Sequence, residues 1–463
     1  MNENIVYKLD LEKIEKDFKF KTRLIHSQCN EFKMLPFAAN EKTLFSNFDG
    51  VIGAFSRMIC DKELKSEFDA KEFIENIVDQ VGEFEGATGK ESFRDILRSM
   101  FIENNKLVHF DLKTINYISA SSAEEKIAKF LYSVFFTNEL KESIERHYNH
   151  DVDNILYKLV LRALPELKNK STSDEKYKCY LPFVRELFNK DFKYLISNEE
   201  LYKDSLKRFL EFYYLFYISQ LSMKLGQFEK ADLEKPDKLY FTLSWESTSK
   251  NRTAYLYGWE KLKTYVESLF SHAITLEFLN HSNYEEQLGY VDLFKVFDNS
   301  SIDTITVDIE NLCNEYILRR QEGIVWNDFS VKRKNSGNEA FDKVYKLFEA
   351  IEYQFQGKAS TRTRAYAAYK NWFVKFVQDN FGKRRGSLGY SLTLDEDDII
   401  FLTKICINNE ERMKLSILFD ELEKRGISFD RDSQMKIIQL YEKLNLLEKK
   451  SDSGDAQYVR SIL

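Results

Sequence analysis

Between Lys358 and Gly386 the chain carries Lys358, Arg362, Arg364, Lys370, Lys375, Lys383, Arg384 and Arg385 against a single acid, Asp379. The segment has a local charge of +7 inside a protein whose net charge is −7. Ammonium and guanidinium groups in such a run can neutralise phosphates, and every phosphate contact releases counterions and makes binding salt-dependent. Tyr366, Tyr369, Trp372 and Phe373 interleave with these cations, so a helix here would bury its aromatics and turn the charges outward. The same face would equally well meet the carboxylates of an acidic partner, or merely balance the acidic remainder of the chain.

A second set of candidates stands near the C-terminus. Arg431, Gln434, Lys436 and Gln439 fall on an expected helix, and Lys449 and Lys450 on an expected hairpin. If the segment is a winged helix-turn-helix, those are the places where groove and backbone contacts with DNA are made. Asp432, Glu442, Asp452 and Asp455 work against this, because each repels phosphate, and winged helices also serve as protein–protein adaptors.

Other patterns fall short of the chemistry they suggest. Gly82 to Glu91 looks like a phosphate-binding loop, but Phe84 stands where a glycine is needed and Glu91 where Ser or Thr would be. Pro236-Asp237 followed by Trp245-Glu246 suggests a metal-dependent nuclease, yet Thr248 occupies the position of its lysine. His147 and His150, with Asp151 and Asp153, lack the further ligands of a zinc site. His272 and His281 flank an apolar helix and are expected to be satisfied core residues. Asp395 to Asp398 are expected to open a helix, where acidic groups are favoured. No cofactor, metal or catalytic set is expected.

The elements that would position these residues are mostly helices. Gly (16) and Pro (4) make about 4% of 463 residues, against average usage near 7% plus 5%, which excludes turn-rich β folds. The expected class is a mainly α, multi-domain protein with a C-terminal winged-helix module. Residues 1–115 read as a mixed α/β or irregular helical domain, with strand-like Phe18–Phe20 and Leu107–Leu112 and helical Phe48–Cys60 and Phe93–Phe101. Residues 116–330 form a helical domain, since Ile127, Phe130, Leu131, Val134 and Phe135, and again Leu262, Tyr265, Val266, Leu269, Phe270 and Ala273, keep the helical period. A basic helical segment follows at 331–392 and the winged module at 393–463. In that module a second helix is expected from about Glu410 to Arg425, and a third has Met435, Ile438, Tyr441 and Leu444 facing inward. A hairpin then turns at Gly454. Polar breaks at 168–176 and 332–338 are expected loops.

Phe209 to Ile218 is the most apolar run, but the charges at Arg208 and Lys224 enclose only 15 residues, short of the roughly 20 a membrane span needs. A buried helix is expected. Five cysteines without a CxxC pair and an N-terminus lacking an apolar stretch fit a cytoplasmic protein with free thiols.

Three stretches carry a resemblance: Leu243-Ser-Trp-Glu-Ser-Thr-Ser-Lys-Asn-Arg-Thr253, Gly258-Trp-Glu-Lys through Leu269-Phe-Ser-His-Ala273, and Leu440 through Val459. They resemble the bacterial DptG (DndG) family, the G subunit of the phosphorothioation-dependent DNA restriction system, and the likeness extends over most of the chain. The resemblance implies host defence against DNA lacking the phosphorothioate mark, in a complex with an ATPase F subunit and a helicase-like H subunit. It implies an accessory, non-catalytic subunit that binds DNA or assembles the complex. It transfers no catalytic residue to this chain.

Overall fold

The computed structural model describes residues 6–22, 24–26, 33–37, 47–86, 88–148, 154–170, 177–299, 302–319, 324–333, 335–356, 363–449 and 457–462. It is mainly α, with 63% helix in 19 helices and little strand. One hydrophobic core reaches from Tyr7 to Val459, and so runs continuously across the boundaries expected at 115, 330 and 392. A second, smaller core lies between the helices Ala70–Val81, Gly89–Phe101 and Ile155–Ala163, built on Phe73, Ile77, Leu97, Phe101 and Val160.

The main core is organised on the 29-residue helix Glu199–Gln227, whose residues from Phe212 to Leu225 are all buried. Asn198 caps its first turn by accepting from the Leu201 amide at 2.9 Å. Its aromatics meet those of neighbouring helices edge to face: Tyr213 lies on Phe188 with ring centres 5.0 Å apart, and Tyr217 on Phe135 at 5.4 Å. Each such side chain contributes roughly 1.5–3 kcal/mol over its exposed state. No helix among the described residues is long and apolar enough to cross a membrane. The helix expected over Phe48–Cys60 is Asp49–Ile59, and that over Phe93–Phe101 begins earlier, at Gly89.

Some local expectations are corrected. Phe18–Phe20 is not a strand but the turn that closes the helix Leu11–Asp17, with Phe18 and Phe20 buried. Only Leu107 of the Leu107–Leu112 run lies in a strand, the two-residue Lys106–Leu107, and Leu112 opens a 3-10 helix. Lys168 and Asn169, expected in a loop, pair antiparallel with Lys62 and Glu63, while 171–176 lie outside the described residues. Lys332–Asn338 is irregular and leads into the helix Glu339–Gln356 as expected, residue 334 lying outside the described set.

The C-terminal segment runs helix Glu396–Ile407, strand Arg412–Lys414, helix Leu415–Lys424, helix Arg431–Lys443 and strands Leu447–Lys449 and Gln457–Arg460. The last strand lies between the other two, antiparallel to both. That third strand is why the second helix starts at Leu415 and not near Glu410: Arg412 to Lys414 give their backbone groups to Tyr458–Arg460. Asp395 and Asp398 form a reciprocal capping box, each accepting from the other's amide at 2.7 and 2.9 Å. The turn at 450–456, with Lys450, Asp452, Gly454 and Asp455, lies outside the described residues.

Three contacts fasten this segment to the body. Leu239–Tyr240 pairs parallel with Ile427–Ser428, and Thr242–Leu243 parallel with Thr393–Leu394. Arg425, 1% exposed, donates through Nε and Nη2 to the two carboxylate oxygens of Asp191 at 2.8 and 2.7 Å, and Tyr213 Oη donates to Asp191 Oδ2 at 2.6 Å. Gly426 follows with φ +75°, and a Cβ there would stand 2.6 Å from the Phe216 ring, so only glycine lets the chain pass the central helix. Truncating one member of a buried pair strands the other charge, at a cost of about 3–5 kcal/mol. Arg425→Ala is therefore expected to lower the unfolding free energy by about that amount in urea titrations, while Arg425→Met combined with Asp191→Leu recovers most of it.

Glu211, on the central helix, has a carboxyl pushed up to about 7, first by burial and then by Asp398 and Asp49 against the opposing pull of Lys207 and Arg208. Its Oε1 is buried without a hydrogen-bond partner. The folded value lies above the unfolded one, so between about pH 4.5 and 7 the folded state keeps a proton that the unfolded state has lost. Stability therefore falls as pH rises through this window, and the full penalty is present above it. Glu211→Gln is expected to flatten that decline and to raise stability at pH 8 by about 2 kcal/mol, measured by denaturation at pH 5 and pH 8.

Candidate nucleic-acid interface

The richest polar cluster in the described structure joins segments far apart in sequence. Leu243 leaves its strand and the next residues form a loop that ends at the short helix Thr253–Leu256. Arg252, at the end of that loop, donates through Nε to Asp430 Oδ2 at 3.1 Å, through Nη1 to Glu246 Oε1 at 3.1 Å and to the Ser247 carbonyl at 3.0 Å, and through Nη2 to Ser433 Oγ at 2.9 Å and to Asp430 Oδ1. Ser433 Oγ donates in turn to Glu246 Oε1 at 2.8 Å. From a third direction Arg385 donates to the carbonyls of Glu246 at 2.6 Å and Leu243 at 3.0 Å.

Asp430 has two duties in this arrangement. It caps the helix Arg431–Lys443 by accepting from the Ser433 amide at 3.1 Å, and it accepts from the Ala254 amide at 3.2 Å. Burial pushes its carboxyl up, but Arg252 and the two amides outweigh that and hold it below the usual carboxylate range. Arg385 is lowered as well, but here burial is the cause, with Glu246 opposing. The cluster is thus a fixed brace, in which the first turn of the last helix is docked on the loop 244–252.

The brace explains the rotation of that helix. Ser433, Ile437, Leu440 and Tyr441 face inward, whereas Met435, expected inside, is 49% exposed and Ile438 only partly buried. Two apolar registers were available in the sequence, and anchoring Asp430 and Ser433 selects the one that turns Met435 out. Arg431, Lys436 and Gln439 are consequently exposed, Lys436 Nζ donating to Gln439 Oε1 at 3.2 Å, and Gln434 donates to the Phe429 carbonyl at 3.3 Å. Lys449 lies in a hairpin strand, and Lys450 lies outside the described residues.

The basic stretch divides. Lys358 and Arg362 lie outside the described residues. The helix Thr363–Asn380 buries Tyr366, Tyr369, Trp372 and Phe373 as expected. Arg364 and Lys375, eleven residues or about three turns apart, share one side of it, and Lys370 is about a third of a turn away. Lys375 pairs with Asp379 at 2.8 Å and Lys370 with Glu267 at 3.7 Å. Lys383 and Arg384 follow in the strand Gly382–Arg384 and are exposed, Lys383 donating to the Ser244 carbonyl. The described cations of this stretch therefore do not form one continuous face; Lys383 and Arg385 bond instead to the segment 243–246, and Arg384, between them in the chain, alternates to the other side.

That loop carries binding groups to which no motif in the sequence points. Trp245 is 43% exposed, and Lys250 is exposed with no ion pair among the described residues. With Lys383 bonded to the Ser244 carbonyl and Arg431 next in the chain to Asp430, an indole and three cations stand beside the brace. Indole faces stack on bases and on Arg, and cations track a phosphate backbone. The signal available in the sequence was the Trp-Glu-Ser-Thr-Ser-Lys-Asn-Arg run itself, rich in polar groups between two strands.

His272 and His281 are satisfied core residues, as expected. His272 bonds Tyr290 Oη through Nδ1 at 3.0 Å, and burial pushes its imidazole well below the ordinary range. His281 bonds the Glu277 carbonyl at 2.8 Å and Asp17 at 3.3 Å. Asp237 pairs with Lys224 at 3.0 Å and receives Gln227 at 2.6 Å, so it belongs to a different network from Glu246. No group of three or more metal-binding side chains occurs among the described residues; His150, Asp151 and Asp153 lie outside them.

Removing Arg252 is expected to release the first turn of the helix Arg431–Lys443. Arg252→Ala should cost about 3 kcal/mol and speed amide exchange at Ser433 and Gln434, while the central helix keeps its protection in hydrogen-exchange measurements. No protein-family model matches the chain, and a search of curated proteins found no match either.

Proposed function

We propose that this protein is an accessory, non-catalytic subunit of a phosphorothioation-dependent DNA restriction complex, cytoplasmic and acting in host defence beside an ATPase F and a helicase-like H subunit. Its role in that complex is to hold DNA. The sequence resemblance suggests the system, and the observation that carries the DNA role is the set of exposed cations Lys250, Lys383 and Arg431 beside exposed Trp245, backed by a buried brace. Helix, strand, helix, helix and a two-stranded hairpin in the C-terminal segment support its reading as a winged-helix module.

A specific observation favours a second reading, an assembly subunit without direct DNA contact. The first turn of the would-be recognition helix is occupied by Arg252 and Glu246 of the same chain, and its outer face carries Asp432 and Glu442 beside Arg431, Lys436 and Lys443. Winged modules docked in this way present their hairpin and outer face to protein partners.

The triple variant Lys250→Glu, Lys383→Glu, Arg431→Glu separates the two. All three side chains are exposed, so the fold is expected to persist. If these cations hold DNA, affinity falls and the slope of log K against log salt becomes shallower by about 0.9 for each duplex phosphate no longer neutralised, with subunit co-purification intact. Unchanged affinity and slope remove the DNA role, and loss of co-purification alone establishes the assembly role.

A further inference from the structure

Arg57, on the helix Asp49–Ile59, is only 6% exposed and lines a cavity of about 330 Å³, near the lower end of the range for small-molecule sites. Its Nη1 donates to the carbonyls of Asn116 at 2.9 Å and Ile118 at 2.7 Å. Those are the hydrogen bonds its guanidinium makes among the described residues, and no carboxylate there lies within ion-pair distance of it. The edge formed by Nε and Nη2, two parallel N–H groups suited to a carboxylate or phosphate, has no acceptor among the described residues.

A buried cation without a counter-charge is costly, and burial does lower the Arg57 guanidinium, with Glu125 opposing. Arg425 is satisfied by Asp191 and Glu421 and Arg252 by Glu246 and Asp430, whereas Arg385 uses all three of its nitrogens on carbonyls and hydroxyls. Around the cavity Glu63 pairs with Lys170 at 3.0 Å and Asp61 with Lys141, while Glu67 and Glu125 also line it, so that four cations stand against four acids. Lys129, half-buried and without an ion pair among the described residues, adds a second cation, and Ser119, Ser133 and Tyr132 add hydroxyls. Beyond Asp61 and Lys62 lies a further cavity of about 900 Å³, lined by six Lys and Arg side chains against Asp61 and Glu166. The excess of cations lies in this neighbouring cavity, next to the first.

We infer that this cavity binds a small molecule through a carboxylate or phosphate group, seated on the Nε–Nη2 edge of Arg57 with Lys129 as second cation. The shared chemistry is an anionic pair of oxygens, and the site holds whether or not the protein touches DNA. It lies on the N-terminal helices, among residues that belong to neither the brace nor the cations beside it.

Thermal unfolding of the full chain with inorganic phosphate and, separately, with glutarate tests this, sodium chloride keeping ionic strength constant. At least one anion is expected to raise the midpoint saturably, and which one does so identifies the source of the oxygens. Arg57→Lys keeps the charge but loses the fork, and should weaken the response about tenfold, the equivalent of one charge-assisted hydrogen bond. Should Arg57→Lys not fold, Lys129→Met serves in its place, with a response several-fold weaker than the native chain and an unaltered midpoint in chloride. A midpoint that follows neither anion beyond chloride, or variants that respond like the native protein, overturns the site.

Discussion

Arg425 and Asp191 are both removed from water, and the arrangement of the C-terminal third follows from that. Taking two charges into the interior costs several kcal/mol for each ion, recovered only where geometry and further hydrogen bonds are good. Here both carboxylate oxygens receive the guanidinium, Tyr213 donates to one of them, and Glu421 binds the remaining nitrogen at 2.9 Å. Any separation of the terminal helices from the helix Pro182–Ser197 would leave these charges unpaired before water reached them. The contact thus specifies one docking geometry, where the surrounding apolar surface alone would tolerate several.

A fixed docking geometry is what allows a surface site to be built from three segments. The strands 239–243 lie between Ile427–Ser428 and Thr393–Leu394, so the loop that follows is held at both ends. Arg252 and Arg385 then bind it to the capped start of the last helix and to the strand Gly382–Arg384. Rigid placement means that Trp245 and the exposed cations need not be ordered when a ligand arrives, which lowers the entropy cost of binding. The same brace fixes the first turn of the helix Arg431–Lys443, whose Asp430 and Ser433 are already engaged by Arg252 and Glu246.

Much of the helical framework was legible because helices announce themselves locally. The 3.6-residue period of Ile127, Phe130, Leu131, Val134 and Phe135 marks the helix Ser122–Phe135, and the acidic run Asp395 to Asp398 marks another start. The buried fate of Phe209 to Ile218 followed from the charges that bound it. What failed did so where two local signals competed. Arg412 to Lys414 could begin a helix or pair with the distant strand at Tyr458–Arg460, and Met435 sits in an apolar register as good as the one adopted. Phe18 and Phe20 alternate as in a strand, yet they are buried in a turn against Phe278 of a distant helix.

The candidate site was legible only in part. Charge density near Lys383 to Arg385 was visible in composition, since charge can be counted without a fold. Its division was not, because Lys370 and Lys375 are taken by Glu267 and Asp379, and only geometry says which acids come within reach. Arg57 had no signal at all: an arginine in an amphipathic helix reads as a surface residue until the carbonyls of Asn116 and Ile118 are brought over it.

By itself the sequence determined the class of fold, the position of most helices, and a positive region within an acidic chain, since backbone propensity, apolar period and charge are properties of neighbouring residues. Only the tertiary structure decided which cations stay unpaired, which face of the last helix is turned out, and where a guanidinium is buried without a counter-ion. Those are outcomes of contacts between residues far apart in the chain, such as Arg252 with Asp430 and Arg425 with Asp191, and their energies depend on distance and solvent exclusion that no local pattern encodes.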